Sequence, residues 1–208
     1  MATLLDPVTT ISLPENTESV VLRFAPPRRR LTDEEFEQFC ARYPELRIEM
    51  TGEGDMIIML PVISEGGKRN FILTGRFFVW VEADGSGVGF DSSTAFTLPN
   101  GAKRSPDVSW IRRERWDALS EKQKQTFAPI CPDFVVELRS SSDRLATLQE
   151  KMEEYLANGA QLGWLIDPLE KKVHIYRPNT PAEILDNPSA ISGDPVLPGF
   201  VLNLDGIL

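Results

Sequence analysis

One stretch constrains the fold more than any other. Pro132-Asp-Phe-Val-Val-Glu-Leu-Arg-Ser-Ser-Ser-Asp143 holds an apolar run, Phe134, Val135, Val136 and Leu138, rich in β-branched and aromatic side chains. Such a run predicts a buried strand. A buried strand does not carry Glu137 and Arg139 unless something pairs with them. Alternation along a strand puts these two on one face, about 7 Å apart, so a carboxylate and a cation sit together at the end of an apolar element. Ser140 to Asp143 then stop the strand and offer helix caps. Asp133 shares the face but lies roughly 13 Å from Glu137, too far for one ion to take both. It reads as structural.

Three other segments fit around this strand. Arg104-Ser-Pro-Asp107-Val-Ser-Trp-Ile111 predicts a second short strand with an aspartate at its start. Thr147 to Asn158 predicts a helix, because Leu148, Met152, Tyr155 and Leu156 recur at helical spacing. Lys151 stands at the margin of that stripe, and Gly159 is the stop signal. Leu162-Gly-Trp-Leu-Ile-Asp167 follows as another strand.

This ordered set resembles the PD-(D/E)XK nuclease superfamily, and within it the putative restriction endonuclease family (Uma-type) long described as a domain of unknown function. The resemblance runs from about Leu31 to Leu208. It rests on Glu49, Phe90-Asp-Ser-Ser-Thr94, Arg104-Ser-Pro-Asp107, Pro132 to Glu137, Lys151 to Tyr155 and Leu197-Pro-Gly-Phe200. It implies an α/β (α+β) fold, a restriction-endonuclease-like mixed β-sheet flanked by helices. It also implies an endonuclease hydrolysing DNA with Mg²⁺ or Mn²⁺.

The implied chemistry suits the residue types. Mg²⁺ takes one or two protein carboxylates and keeps several waters, a role that fits Asp107 and Glu137, with a backbone carbonyl such as that of Leu138 beside them. A nearby cation then orients the attacking water and stabilises the developing charge. The superfamily usually places a lysine two residues after the acid, and here that position holds Arg139, which cannot accept a proton. The resemblance implies that the role has moved to Lys151. Arg139 would hold a phosphate by two hydrogen bonds, and Glu49 would be an outer ligand or water-orienting group. Each assignment has a structural rival: a turn cap for Asp107, an ion pair for Glu137 with Arg139, and a lysine snorkelling to water for Lys151.

Composition sets limits. A chain of 208 residues suits one domain with a sizeable core, and we expect an N-terminal arm over 1–30 followed by a single domain over 31–208. No apolar run approaches the roughly 18 residues of a membrane span, and the N-terminus lacks a signal-peptide pattern. Cys40 and Cys131 are expected as reduced core thiols, so the expectation is a cytoplasmic protein without membrane contact. The net charge of −9 argues against a general nucleic-acid binder. Lys103, Arg104, Arg112, Arg113 and Arg115, however, form a local basic run near Asp107 that could meet phosphates or could be a solvated loop. That charge, with Arg139 in the usual lysine position, keeps open a second reading: a catalytically inactive nuclease-fold DNA-binding or assembly module. A hydrolase of small phosphate esters is a third. Cutting both strands of a duplex would suit a homodimer.

The remaining elements are expected as follows. Ser19 to Phe24 is a strand, and Thr32 with Glu35 caps a short helix that Pro44 ends. Leu46 to Met50 and Met56 to Leu60 form a hairpin, and Ser64 to Ala83 is a helix. Val88 to Asp91 and Ala95 to Leu98 are short strands. Arg113 to Gln125 is an exposed helix. Lys172 to Arg177 is an edge strand whose His174 touches solvent, and the tail carries strands near residues 183–185 and 200–204. Asn70 is placed to line a cleft. A single histidine and two distant cysteines exclude His-rich and zinc sites, and no phosphate-binding loop or nucleophile elbow occurs.

Overall fold

The structure, a computed structural model, describes residues 8–12, 19–24, 30–59 and 61–208. The chain runs β1 (Val8–Ser12), β2 (Ser19–Phe24), α1 (Asp33–Arg42), β3 (Arg47–Met50), β4 (Met56–Met59), α2 (Ser64–Asp84), β5 (Gly87–Asp91), β6 (Phe96–Thr97), β7 (Lys103–Arg104) and β8 (Val108–Arg112). It continues through α3 (Arg113–Asp117), α4 (Glu121–Lys124), β9 (Phe134–Leu138), α5 (Leu145–Ala157), β10 (Leu162–Asp167), β11 (Lys172–Tyr176), β12 (Glu183–Asp186), β13 (Ala190–Ser192) and β14 (Val201–Asn203). Among the described residues no helix is long and apolar enough to cross a membrane.

Two six-stranded sheets carry the fold. The first has the order β1-β2-β4-β3-β7-β6 and is antiparallel throughout. The second has the order β12-β11-β10-β9-β8-β5; β9 and β10 are parallel and the other pairs antiparallel. A parallel neighbour needs a crossover, and α5 supplies it between β9 and β10. β13 and β14 form a separate pair.

Alternation on β9 sorts the second sheet's two faces. Phe134 and Val136 join a core with Leu73 and Phe77 of α2, Trp110, Trp164 and Phe200. Phe77 meets Phe134 and Phe200 at ring-centroid distances of 5.7 and 5.3 Å. Long-range aromatic packing of this kind lets the strand-like run Phe77 to Val81 lie within a helix. Val135 faces the other way, toward Leu148, Met152 and Tyr155 of α5. Gly163 on β10 lets α5 come close, since a Cβ there would stand 2.3 Å from the Met152 methyl carbon. In the first sheet, Ile48, Met50 and Met56 pack under Phe36 and Phe39 of α1. The α1 capping box forms as expected: Glu35 N–H donates to Thr32 Oγ1 at 3.2 Å, and Thr32 N–H donates to Glu35 at 3.0 Å.

Several expectations need correction. Residues 113–125 form two short helices, because Ser120 starts a second capping box with Gln123. β11 is not an edge strand, since β12 pairs with its outer side. His174 is therefore buried, 4% exposed, and neither ring nitrogen finds a partner; burial lowers its pKa. Ser140 to Asp143 do not cap α5, whose N-cap is Arg144 without a side-chain bond. Asp143 instead accepts from the Ser140 N–H at 2.8 Å. Asn70 accepts a long 3.5 Å bond from Thr74 within α2. The strand expected over Ser19 to Phe24, by contrast, forms with those bounds as β2, hydrogen-bonded to β4.

Candidate active site

The site forms where the two sheets exchange the chain. β7 belongs to the first sheet and β8 to the second, so Ser105, Pro106 and Asp107 cross between them. Asp107 is anchored at both ends. Its N–H donates to the Val136 carbonyl at 3.0 Å, and its carboxylate accepts from the Leu138 N–H at 2.8 Å. Asp107 is thereby tied to the residues on either side of Glu137.

Glu137 faces α5, on the same side as Val135. It is 5% exposed. Tyr155 Oη donates to its Oε1 at 3.0 Å, and Lys151 Nζ lies 2.9 Å from the same oxygen. Lys151 and Tyr155 are one helical turn apart and so share a face. Lys151 also donates to Glu49 Oε1 at 2.8 Å. Glu49 comes from β3, where its neighbours Ile48 and Met50 point into the α1 core and it points the opposite way. Arg104 Nη1 and the Ser105 N–H hold Glu49 at 3.1 and 2.8 Å, and Arg104 Nε reaches Glu154 at 2.5 Å.

Charge is unevenly matched in this cluster. Burial alone would raise the Glu49 carboxyl, but Lys151, Arg104 and the Ser105 N–H outweigh it and hold the group below its usual range. Glu137 has no such surplus. Burial pushes its carboxyl up to about 8, helped by the like charges of Asp107 and Glu49 and opposed by Lys151. Asp107 is also raised, first by burial, against the Leu138 N–H and the Lys151 charge. Burial works against the Lys151 charge, yet Glu137 and Glu49 prevail and raise its pKa, so it stays an ammonium. Tyr155 is raised by burial and by Glu137, so it remains a hydroxyl donor.

Glu49, Glu137 and Lys151 thus come into direct contact, with Asp107 fixed beside them. Arg139 does not pair with Glu137. Its Nη1 reaches the fully buried Asp167 of β10 at 2.6 Å and Glu170 at 3.5 Å, and its Nε donates to the Asp143 carbonyl at 3.2 Å. Asp133 is structural as expected, taking the Arg112 N–H and Arg115 at 2.9 Å each. The basic run does not form one rim: Lys103 is buried against Asp33 at 2.6 Å, and Arg104 is consumed by two glutamates. Sequence reasoning missed Tyr155 as a polar partner, and Arg104 with Glu154 as supports. The signal was present, since Glu154 and Tyr155 follow Lys151 by three and four positions.

A cleft of about 620 Å³ opens on the cluster, lined in part by Glu49, Arg104, Asp143, Thr147, Lys151 and Glu154. Among the described residues, no three Cys, His, Asp or Glu side chains converge as a ready metal cage. Two carboxylates completed by a carbonyl and water are the arrangement a small hard cation uses instead. Charge supports the fit: among the described residues, the four acids Glu49, Asp107, Glu137 and Glu154 meet the cations Lys151 and Arg104, with Arg47 also acting on Asp107.

A mixed sheet with an acid near a strand end, an aspartate anchored on either side of it and a lysine from the crossover helix fits a restriction-endonuclease-like fold. The model of the Uma2 family, described as "Putative restriction endonuclease", matches residues 33–205, and the chain belongs to that family. In fold it is similar to the crystal structure of a putative nuclease belonging to DUF820 from Anabaena variabilis. The two share 22% identity and a TM-score of 0.68, over 85% of this chain and 97% of that one. No curated protein matches the chain.

Proposed function

We propose that this protein is a Mg²⁺- or Mn²⁺-dependent endonuclease that hydrolyses phosphodiester bonds in DNA. The observation that carries this reading is the geometry: Asp107 is tied to both chain neighbours of Glu137, and Lys151 touches Glu137 at 2.9 Å and Glu49 at 2.8 Å. A divalent cation held there would activate water and offset charge on the leaving oxygen. Asp107 and Glu137 would be its protein ligands, with the Leu138 carbonyl adjacent.

The chain's own groups do the remaining work. Lys151, as a permanent ammonium, donates to a phosphate oxygen or to the attacking water; it does not act as a base. Glu49 stays ionised and fixes the Lys151 position, and Tyr155 fixes the Glu137 rotamer. Arg139 uses Nε and Nη1 to hold the strand end, which leaves Nη2 for a phosphate oxygen. A duplex cut on both strands suits a two-fold homodimer.

A plasmid-cleavage assay in Mg²⁺ tests the reading, with Asp107→Ala, Glu137→Ala and Lys151→Ala compared to wild type. Loss in all three variants is the expected result; equal activity in all four proteins removes the assignment. The net charge of −9 and the acidic cleft wall, with Glu53, Asp143 and Glu150, favour a second reading. There the fold binds DNA or assembles without cutting. Calorimetric titration with Mn²⁺ separates the two, since a folded protein that takes up no Mn²⁺ fits only the second.

A further inference from the structure

The outward side of α2 carries large apolar side chains that no described residue covers. Phe71 is 81% exposed, Phe78 59% and Val79 68%. Gly75 lies between them, also exposed, and nothing stands within 4 Å of where its Cβ would be. A mid-helix glycine weakens a helix, and packing among the described residues gives no reason for this one.

The spacing supplies the reason. Lys68, Phe71, Gly75, Phe78 and Glu82 follow one another at intervals of three and four, the seam of a helix that packs against another helix. The seam also has polarity, with a cation at one end and an acid at the other. Parallel pairing with a second copy would set Lys68 on Lys68 and Glu82 on Glu82. Antiparallel pairing centred on Gly75 sets Lys68 on Glu82 at both ends. It also brings the two glycines together, where the helices approach most closely. Each Phe71 then enters the hole framed by Gly75, Phe78, Val79 and Glu82 of the other copy. Among the described residues Lys68 pairs with Glu65 at 3.3 Å, both well exposed, a contact weak enough to give up.

We propose that α2 is a self-association surface whose occupant is α2 of a second copy of this chain, antiparallel about a two-fold axis at Gly75. This gives the homodimer proposed above its surface. It rests on α2 alone, so its failure leaves the nuclease reading standing.

Sedimentation velocity of the full chain, from about 1 to about 100 µM, reads the dimer constant directly. Phe71→Glu is expected to weaken dimerisation by about thirty-fold or more, because a central aromatic anchor is lost. Lys68→Glu and Glu82→Lys each weaken it by about tenfold, and the double variant Lys68→Glu/Glu82→Lys restores it, because the swap rebuilds both ion pairs. All three positions face solvent, and far-UV circular dichroism checks that each variant is folded. A wild-type chain that stays monomeric over this range overturns the proposal. So does a dimer that is indifferent to Phe71→Glu, or one that the double variant fails to restore.

Discussion

Asp133 and Glu137 are two buried acids four positions apart on one segment, and their surroundings differ. Asp133, 3% exposed, takes a backbone N–H from Arg112 and a guanidinium from Arg115, with a second guanidinium 3.7 Å away. Glu137, 5% exposed, has one hydroxyl and a lysine that it shares with Glu49, while Asp107 repels it. Burial is nearly the same at the two acids. What distinguishes them is the balance of charge, since a satisfied acid holds loops together and an unsatisfied one has capacity for a ligand.

The largest expected effect is on chemistry. Asp107→Asn or Glu137→Gln should lower Mg²⁺-dependent cleavage by on the order of 10³-fold, while Asp133→Asn should leave the folded enzyme within a few-fold of wild type. An equal loss in all three, with folding intact, would erase the contrast between the two acids.

Stability should move the other way. Asp133→Ala removes the acceptor of the Arg112 N–H and of Arg115. It should cost about 2 kcal/mol in urea unfolding, reduced from a fully buried pair because both arginines reach solvent.

An effect of opposite sign is expected at Glu137. Its folded pKa of about 8 lies above the ordinary 4.5, so the folded state holds an extra proton between those values. That contribution is complete below about 4.5 and is lost as pH rises through about 8. In the presence of a chelator, wild type should therefore lose stability relative to Glu137→Gln between pH 5 and 8. Parallel pH profiles for the two proteins would contradict the charge imbalance. Mn²⁺ should narrow the gap by stabilising wild type, and its binding should strengthen as pH rises through the same window.

Glu49 has the reverse linkage. Its lowered pKa contributes stability that is present above the ordinary carboxylate range and is lost on acidification. Glu49→Gln should accordingly flatten the acid limb of the unfolding profile, measured below pH 4.5, by less than Glu137→Gln changes the neutral limb.

Much of this arrangement was legible in local pattern. Period-two alternation on β9 and helical spacing on α5 placed Glu137 and Lys151, and the capping box placed α1. What escaped was non-local. Arg139 stands where expected, yet its partner Asp167 is 28 positions away at the end of β10. Lys103 looked like part of a basic surface, but it reaches Asp33, 70 positions earlier, and is buried. Nothing in residues 172–177 announces that β12 will pair beside His174. Periodicity reports which face a side chain occupies; it does not report what arrives on that face from elsewhere in the chain.

The Lys151 ammonium bridges Glu49 on one sheet to the α5 and β9 end of the other. Arg104 of the first sheet makes a second such tie, to Glu154 of α5. Under the proposed function, the ammonium that would stabilise charge at the scissile bond is also one of the ties between the sheets. A phosphate that recruited it would compete with that tie, so substrate engagement and contact between the sheets would be coupled.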